Sequence, residues 1–193
     1  MRRIATGLAD LAVLEADVFV DERGWFMEAA NRRTLADLGI VADFVQDNQS
    51  LSHRDVLRGL HYQIGRPQAK LVRCLGGAVF DVAVDLRRNG PHFGRWYGTE
   101  LSAANRRSLW IPAGFAHGFL TLSPTAEVLY KVDAYWDRSA ERGLRWDDPD
   151  VAIDWPLAGR SPCVCDRDRA LPALARIPLQ DLPICTATPR ASA

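Results

Sequence analysis

The sequence predicts an all-β chain wound as a jelly-roll barrel with a few short helices. Three observations predict it. Short runs rich in apolar and β-branched residues recur along the chain. Turn signals separate them about every ten residues, the rhythm of a sandwich or barrel. One early stretch alone carries helix punctuation. At 193 residues the chain is long enough for one domain with a sizeable core and short for two.

The elements follow in order. Leu11–Val20 is apolar and ends at the turn Asp21-Glu22-Arg23-Gly24, and Trp25–Glu28 resumes a strand. Arg33–Leu38 is the helix, with Asn31 to cap it and Gly39 to stop it. Phe44–Asn48 is a strand running into a turn. Lys70–Cys74 and Ala78–Asp85 are strands. In the second, Phe80, Val82 and Val84 share one face, and Asp81, Ala83 and Asp85 the other. Asn89-Gly90-Pro91 breaks the chain. Arg95–Leu101, Arg107–Ile111, Gly118–Leu122 and Ala126–Ala134 continue the pattern, and loop-like sequence follows Asp147-Asp148-Pro149. Residues 1–176 form the expected domain and 177–193 a frayed C-terminal tail.

Composition excludes some functions. Twenty-four basic and 24 acidic residues balance to zero, which leaves no electrostatic footprint for nucleic acid or membrane. No apolar run is long enough to span a bilayer. The N-terminal stretch is interrupted by acidic residues and is not a secretory signal. The four cysteines lack metal-site or disulfide-framework spacing, so a cytoplasmic location is expected. Of the 24 basic residues only Lys70 and Lys131 are lysines. A chain that prefers arginine this strongly can reserve a lysine for what a guanidinium cannot do: act as a compact charge whose pKa shifts on burial.

His53 and His92 sit in polar or turn sequence and are expected at the surface. His61 and His117 lie in apolar, aromatic settings, LHYQ and PAGFAHGFL. One such histidine is ordinarily a satisfied core residue. Two, with Arg58, Lys70 and several carboxylates on nearby strands, suggest a polar site inside a barrel. A metal site is one reading, but metal-binding jelly rolls present a His-x-His pair, and here position 63 is Gln. Acid–base catalysis without a cofactor is the other. It needs an imidazole, a carboxylate to orient it, a cation for an oxyanion and a proton donor such as Tyr130. No glycine-rich phosphate loop or nucleophile elbow is present, so phosphate binding falls to arginines such as Arg23 and Arg58.

The stretch VLRGLHYQ (56–63) places Arg58 and His61 three apart on a strand, which in regular pleating puts them on opposite faces. A glycine inside a strand marks a bulge or close backbone approach. An irregularity near Gly59 is therefore expected to turn Arg58 and His61 toward one cavity.

The blocks DERGWFME, QDNQSLSHRDVLRGLHYQ, QAKLVRCLGGAVFDVAVDLR, FGRWYGTELSAANRRSLWIPAGFAHGFLTLS and LYKVDAYW together resemble the dTDP-4-dehydrorhamnose 3,5-epimerases. The likeness runs roughly from residue 5 to residue 175. The resemblance implies a cupin jelly roll, a homodimer, no cofactor, and inversion of C3 and C5 of a dTDP-linked 4-keto-6-deoxyhexose. By motif, His61 resembles the general base, Asp168 its orienting carboxylate, Lys70 the cation beside the 4-keto oxygen and Tyr130 the proton donor. Gln46, Asp47, Asn48, Arg58, His117, Glu141 and Arg167 match positions that hold the sugar nucleotide, and Tyr135 matches the aromatic that stacks on thymine. Arg23, Phe26 and Glu28 match a segment that reaches the neighbouring subunit's site. A dehydratase upstream and a ketoreductase downstream are implied as pathway partners.

The chain departs from the family at a shorter 64–69 loop, Arg167 for lysine, Cys165 for serine and Trp136 for tyrosine. Some relatives invert C3 alone, so the alternative is a C3-only or C5-only epimerase of a dTDP-4-keto-deoxysugar in specialised sugar biosynthesis, which the catalytic motif does not distinguish. A metal-dependent cupin enzyme and a non-catalytic sugar-nucleotide binder are the competing classes.

Overall fold

A computed structural model describes residues 1–185. The strands in chain order are β1 (Arg2–Ala5), β2 (Ala12–Glu15), β3 (Val18–Asp21), β4 (Gly24–Met27), β5 (Gln46–His53), β6 (Leu57–Gln63) and β7 (Lys70–Gly76). They continue as β8 (Ala78–Asp85), β9 (Trp96–Ser102), β10 (Ser108–Ile111), β11 (Phe115–Thr121), β12 (Thr125–Val132) and β13 (Glu141–Gly143). Helix α1 (Arg32–Asp37) follows β4, and α2 (Asp166–Arg169) lies near the C-terminus. A six-stranded sheet runs β1-β2-β10-β7-β12-β5, and a five-stranded sheet β13-β6-β11-β8-β9; β3 and β4 form a separate hairpin. All ladders are antiparallel. Two facing sheets with long crossovers make the expected jelly-roll barrel.

Both faces of each sheet are covered at the centre. Between the sheets pack Val72, Cys74, Val79, Ala83, Phe115, Phe119 and Val128. Outside the five-stranded sheet, Leu57, Leu60, Tyr62, Val82 and Val84 pack beneath the C-terminal segment with Trp155 and Val164. Outside the six-stranded sheet, Leu14, Leu71 and Trp110 meet Leu35 of α1. This double covering is why β8 reads as nearly continuous apolar sequence. Each fully buried leucine contributes roughly 1.5–3 kcal/mol.

The α1 expectation holds within a residue. Asn31 Oδ1 accepts the Arg33 and Thr34 amides at 2.9 and 3.4 Å, and Gly39 follows with φ +76°.

Two readings change, and one strand had none. Gln46–His53 is a full strand rather than a turn after Asn48: its inward side chains are polar because they face a polar cavity, so no apolar alternation announces it. β1, edge-exposed throughout, carries no such signal either. No break marks position 177. Ile177 and Leu182 enter the outer core, and Arg88 exchanges backbone hydrogen bonds with Pro183 and Cys185 at 2.8 and 3.0 Å. The rest of the expected tail, 186–193, lies outside the described residues. Among the described residues no helix is long and apolar enough to cross a membrane.

Candidate active site

The strand β6 carries the feature that organises the site. His61 pairs with His117 of β11 and Arg58 with Phe119, so three steps on β6 match two on β11. That register shift is a β-bulge at Gly59–Leu60, as expected. It resets the alternation: Leu57, Leu60 and Tyr62 point into the outer core, while Arg58, His61 and Gln63 line the cavity between the sheets. Only glycine fits at the bulge. Gly59 has φ +105°, and a Cβ there would lie 2.6 Å from the His117 carbonyl oxygen and 2.8 Å from Gly118 Cα.

The cavity holds about 480 Å³. His61 and His117 enter from the five-stranded sheet, Lys70 and Tyr130 from the six-stranded one. His61 Nε2 lies 2.7 Å from Asp168 Oδ1, and Asp168 Oδ2 accepts the Gly59 amide at 2.9 Å. A carboxylate only accepts, so neutral His61 carries its proton on Nε2 and leaves Nδ1 as the basic nitrogen. Burial pushes the Asp168 carboxyl up, but the His61 and Gly59 hydrogen bonds outweigh it and hold it below its usual value.

Lys70 is 7% exposed. Its Nζ donates to the His61 carbonyl at 3.4 Å and lies 5.9 Å from the Tyr130 ring centroid. Burial pushes its ammonium down to about 8, against an upward pull from Asp81 and Glu141. Lys70 pairs in register with Val132 and Tyr130 with Val72, so the two side chains are diagonal neighbours on the inner face. Burial also raises the Tyr130 phenol. Lys131 faces outward and binds Asp47 at 2.7 Å: the two lysines have opposite environments.

Asn48, Arg58, His117, Glu141 and Arg167 also line the cavity. Arg58 Nε donates to Ser52 Oγ at 2.9 Å, and Arg167 pairs with Glu141 at 2.7 Å across the rim. Other expected site residues lie elsewhere in the single chain. Asp47 points away, because strand alternation cannot send three successive side chains inward. Gln46 bonds to Asn48 and to the Trp136 amide. Tyr135 is exposed beside the rim, where Trp136 is the aromatic lining the cavity. Arg23, Phe26 and Glu28 sit on or next to the β3–β4 hairpin, away from the cavity. Arg23 pairs there with Asp21, and Glu28 accepts from Asn31 and Thr34.

Sequence reasoning passed over Asp81, Ser50, Ser52 and Gln68. Asp81 is fully buried, with both carboxylate oxygens at 2.9 and 3.0 Å from His117 Nε2. Its signal was present: a carboxylate inside VFDVAVD needs a buried partner. Among the described residues no group of three or more His, Cys, Asp or Glu is arranged to hold a metal ion.

Fold and cavity define a class: cupin-type jelly rolls with a titratable site inside the barrel. Comparison with known proteins gives the particular family. The dTDP-4-dehydrorhamnose 3,5-epimerase family model matches residues 5–176. The enzyme of that name from Pseudomonas aeruginosa is 51% identical over 176 residues, covering 91% of this chain and 97% of its own. The dTDP-6-deoxy-D-glucose-3,5-epimerase of Legionella pneumophila, solved with dTDP-4-keto-L-rhamnose, superposes with a TM-score of 0.93 at 44% identity, covering 96% and 99%. A 3'-monoepimerase from Streptomyces bikiniensis, solved with dTDP-quinovose, superposes at 0.83 with 33% identity, covering 90% and 89%. The chain belongs to the dTDP-4-dehydrorhamnose 3,5-epimerase family.

Proposed function

We propose that this protein inverts C3 and C5 of dTDP-4-keto-6-deoxyglucose, giving dTDP-4-keto-L-rhamnose through an enolate and without a cofactor. The observation that carries the reading is the pairing of His61 and Tyr130 from opposite sheets of one cavity, with the Lys70 ammonium beside them. His61 Nδ1 removes the proton α to the 4-keto group, and the electron pair moves onto the C4 oxygen. Lys70, itself buried, stabilises that oxygen as charge develops, where a preorganised cation acts most strongly. Tyr130 returns a proton from the opposite face, which inverts the carbon. Solvent resets His61 and Tyr130 before the second carbon reacts. Asp168 orients His61 and stabilises the imidazolium.

Arg58, Asn48, His117, Glu141 and Arg167 hold the sugar nucleotide, with Gln46 supporting Asn48. Tyr135 stacks on thymine at the rim. Asp47 acts only through its tie to Lys131. In a homodimer the hairpin brings Arg23, Phe26 and Glu28 to the neighbouring subunit's site. Phe19, Trp25 and Phe26 are 65%, 53% and 70% exposed in one chain, an apolar surface that a second copy would cover. The protein works in the cytoplasm, after a dehydratase and before a ketoreductase.

Inversion at C3 alone is the second reading, favoured by the likeness to the 3'-monoepimerase. Turnover in deuterated water followed by proton NMR decides between them. Label at both C3 and C5 is expected, and label at C3 alone establishes the second reading.

A further inference from the structure

The inner face holds a second His–Asp pair, built differently from the first. His61 is part-exposed to the cavity, whereas His117 and Asp81 are 6% and 0% exposed. Both Asp81 oxygens converge on a single imidazole nitrogen. The strand register explains the meeting: His117 pairs with Ala83 and Phe119 with Asp81, so the two side chains are diagonal neighbours on one inner face. The imidazole ring then stands edge-on to Tyr130, 6.2 Å between centroids.

Lys70 faces this pair from the other sheet. Its one protein acceptor among the described residues is the His61 carbonyl, and no carboxylate lies within salt-bridge distance of it. A buried ammonium without an ion pair is costly unless a nearby negative charge offsets it. The titratable groups around it are His61 on β6, Asp81 on β8, His117 on β11, Tyr130 on β12 and Glu141 on β13. Glu141 is already paired with Arg167, and Asp168 with His61. Burial pushes the His117 ring below its ordinary range, despite the opposing pull of Asp81. Among the described residues the Asp81 carboxylate has this one imidazole nitrogen as its side-chain partner and no Lys or Arg within salt-bridge distance.

We propose that Asp81 is a positioning residue, fixing His117 as its Nε2–H tautomer and supplying the negative charge that keeps the Lys70 amine an ammonium. Its catalytic consequence rests on the proposed epimerase reaction, because an amine without its proton offers an enolate oxygen no positive charge. Lys70 shares the inner face of the six-stranded sheet with the acid Tyr130 and bonds to the carbonyl of the base His61, so its protonation governs the step that both share.

The two-lysine composition makes the test direct. Protein labelled with carbon-13 at lysine Cε gives two signals, and outward-facing Lys131, paired with Asp47, is the internal control. In Asp81→Asn the Lys70 midpoint is expected to fall by roughly one pH unit or more while Lys131 stays fixed. The alkaline limb of kcat should move down with it, with KM held within about twofold. An unmoved Lys70 midpoint overturns the proposal. Should Asp81→Asn not fold, the smaller uncharged Asp81→Ser is read the same way. Nitrogen-15 spectra of the wild type need no variant: a His117 proton on Nδ1 overturns the tautomer assignment. A shifted Lys70 in a protein that turns over no 4-keto sugar supports the role of Asp81 and overturns the epimerase reading instead.

Discussion

His61 and Asp168, 107 residues apart in the chain, are joined by a 2.7 Å hydrogen bond, and the same carboxylate holds the amide of the bulge glycine at 2.9 Å. One acidic side chain thus fixes both the imidazole and the backbone that aims it. In the proposed reaction His61→Ala should lose activity by about 10³-fold or more, and Asp168→Asn by roughly 10–10²-fold. Both should still bind dTDP. Steady-state kinetics and calorimetric dTDP titration check this. Full activity in His61→Ala would remove it as the base.

The Asp168 carboxyl has a folded pKa below its ordinary 3.8. Its contribution to stability is therefore present above that ordinary value and is lost as pH falls through the depressed one. Asp168→Asn should flatten the acid limb of a stability–pH curve, measured by urea denaturation between roughly pH 2 and 5.

Lys70 carries the opposite sign. Its ammonium is pushed from 10.5 to about 8 by burial, which is a folding cost on the order of 3 kcal/mol below pH 8. Lys70→Met should stabilise the chain by up to that amount at pH 7 while abolishing turnover. The gain should shrink as pH rises from 8 to 10.5, where the wild-type amine sheds its charge in the folded state first. Denaturant midpoints across that window test it; a variant less stable than wild type at pH 7 contradicts it.

Gly59→Ala should cost about 2 kcal/mol or more, from a positive φ combined with backbone contacts at 2.6 and 2.8 Å. Because the bulge aims Arg58 and His61 together, kcat and KM should both worsen. A variant that lost only stability would separate the bulge from the site.

Tyr130→Phe removes the proposed proton donor and leaves the base. Deuterium should still enter the substrate from solvent, while inverted product falls by roughly 10²-fold or more. NMR of substrate and product pools reads both quantities in one experiment.

The chain is expected to run in solution at twice its 21.5 kDa mass. If the hairpin serves a neighbouring site, mixing inactive Arg23→Ala with inactive His61→Ala should restore activity through exchanged dimers. Failure of the mixture to regain turnover, with exchange demonstrated, would place Arg23 outside the site.

How much of this was legible depended on which residues carried a local signal. The bulge was visible because Arg-Gly-Leu-His violates strand alternation around a glycine. The cap of α1 was visible in Asn31 and Gly39. Strand β5 was hidden because Asn48, Ser50 and Ser52 face a polar cavity and break the apolar pattern. The pairing of His61 with Asp168 has no local signal at all; only the resemblance of whole blocks pointed to it. Asp47 shows the limit of motif matching, which groups neighbours in sequence that pleating sends to opposite faces of one chain.

The double covering of the barrel strands has a consequence for how such a protein can diversify. A strand that carries Lys70 or His61 inward is locked on its other face into an outer core, through Leu71, Leu60 and their neighbours. Most changes along those strands therefore disturb packing before they can alter reactivity. Trp136, Glu141, Arg167 and Cys165 sit at the mouth on short or irregular segments and carry little of that structural debt. Substitutions at the entrance can therefore change what the cavity admits while the floor keeps its side chains in place.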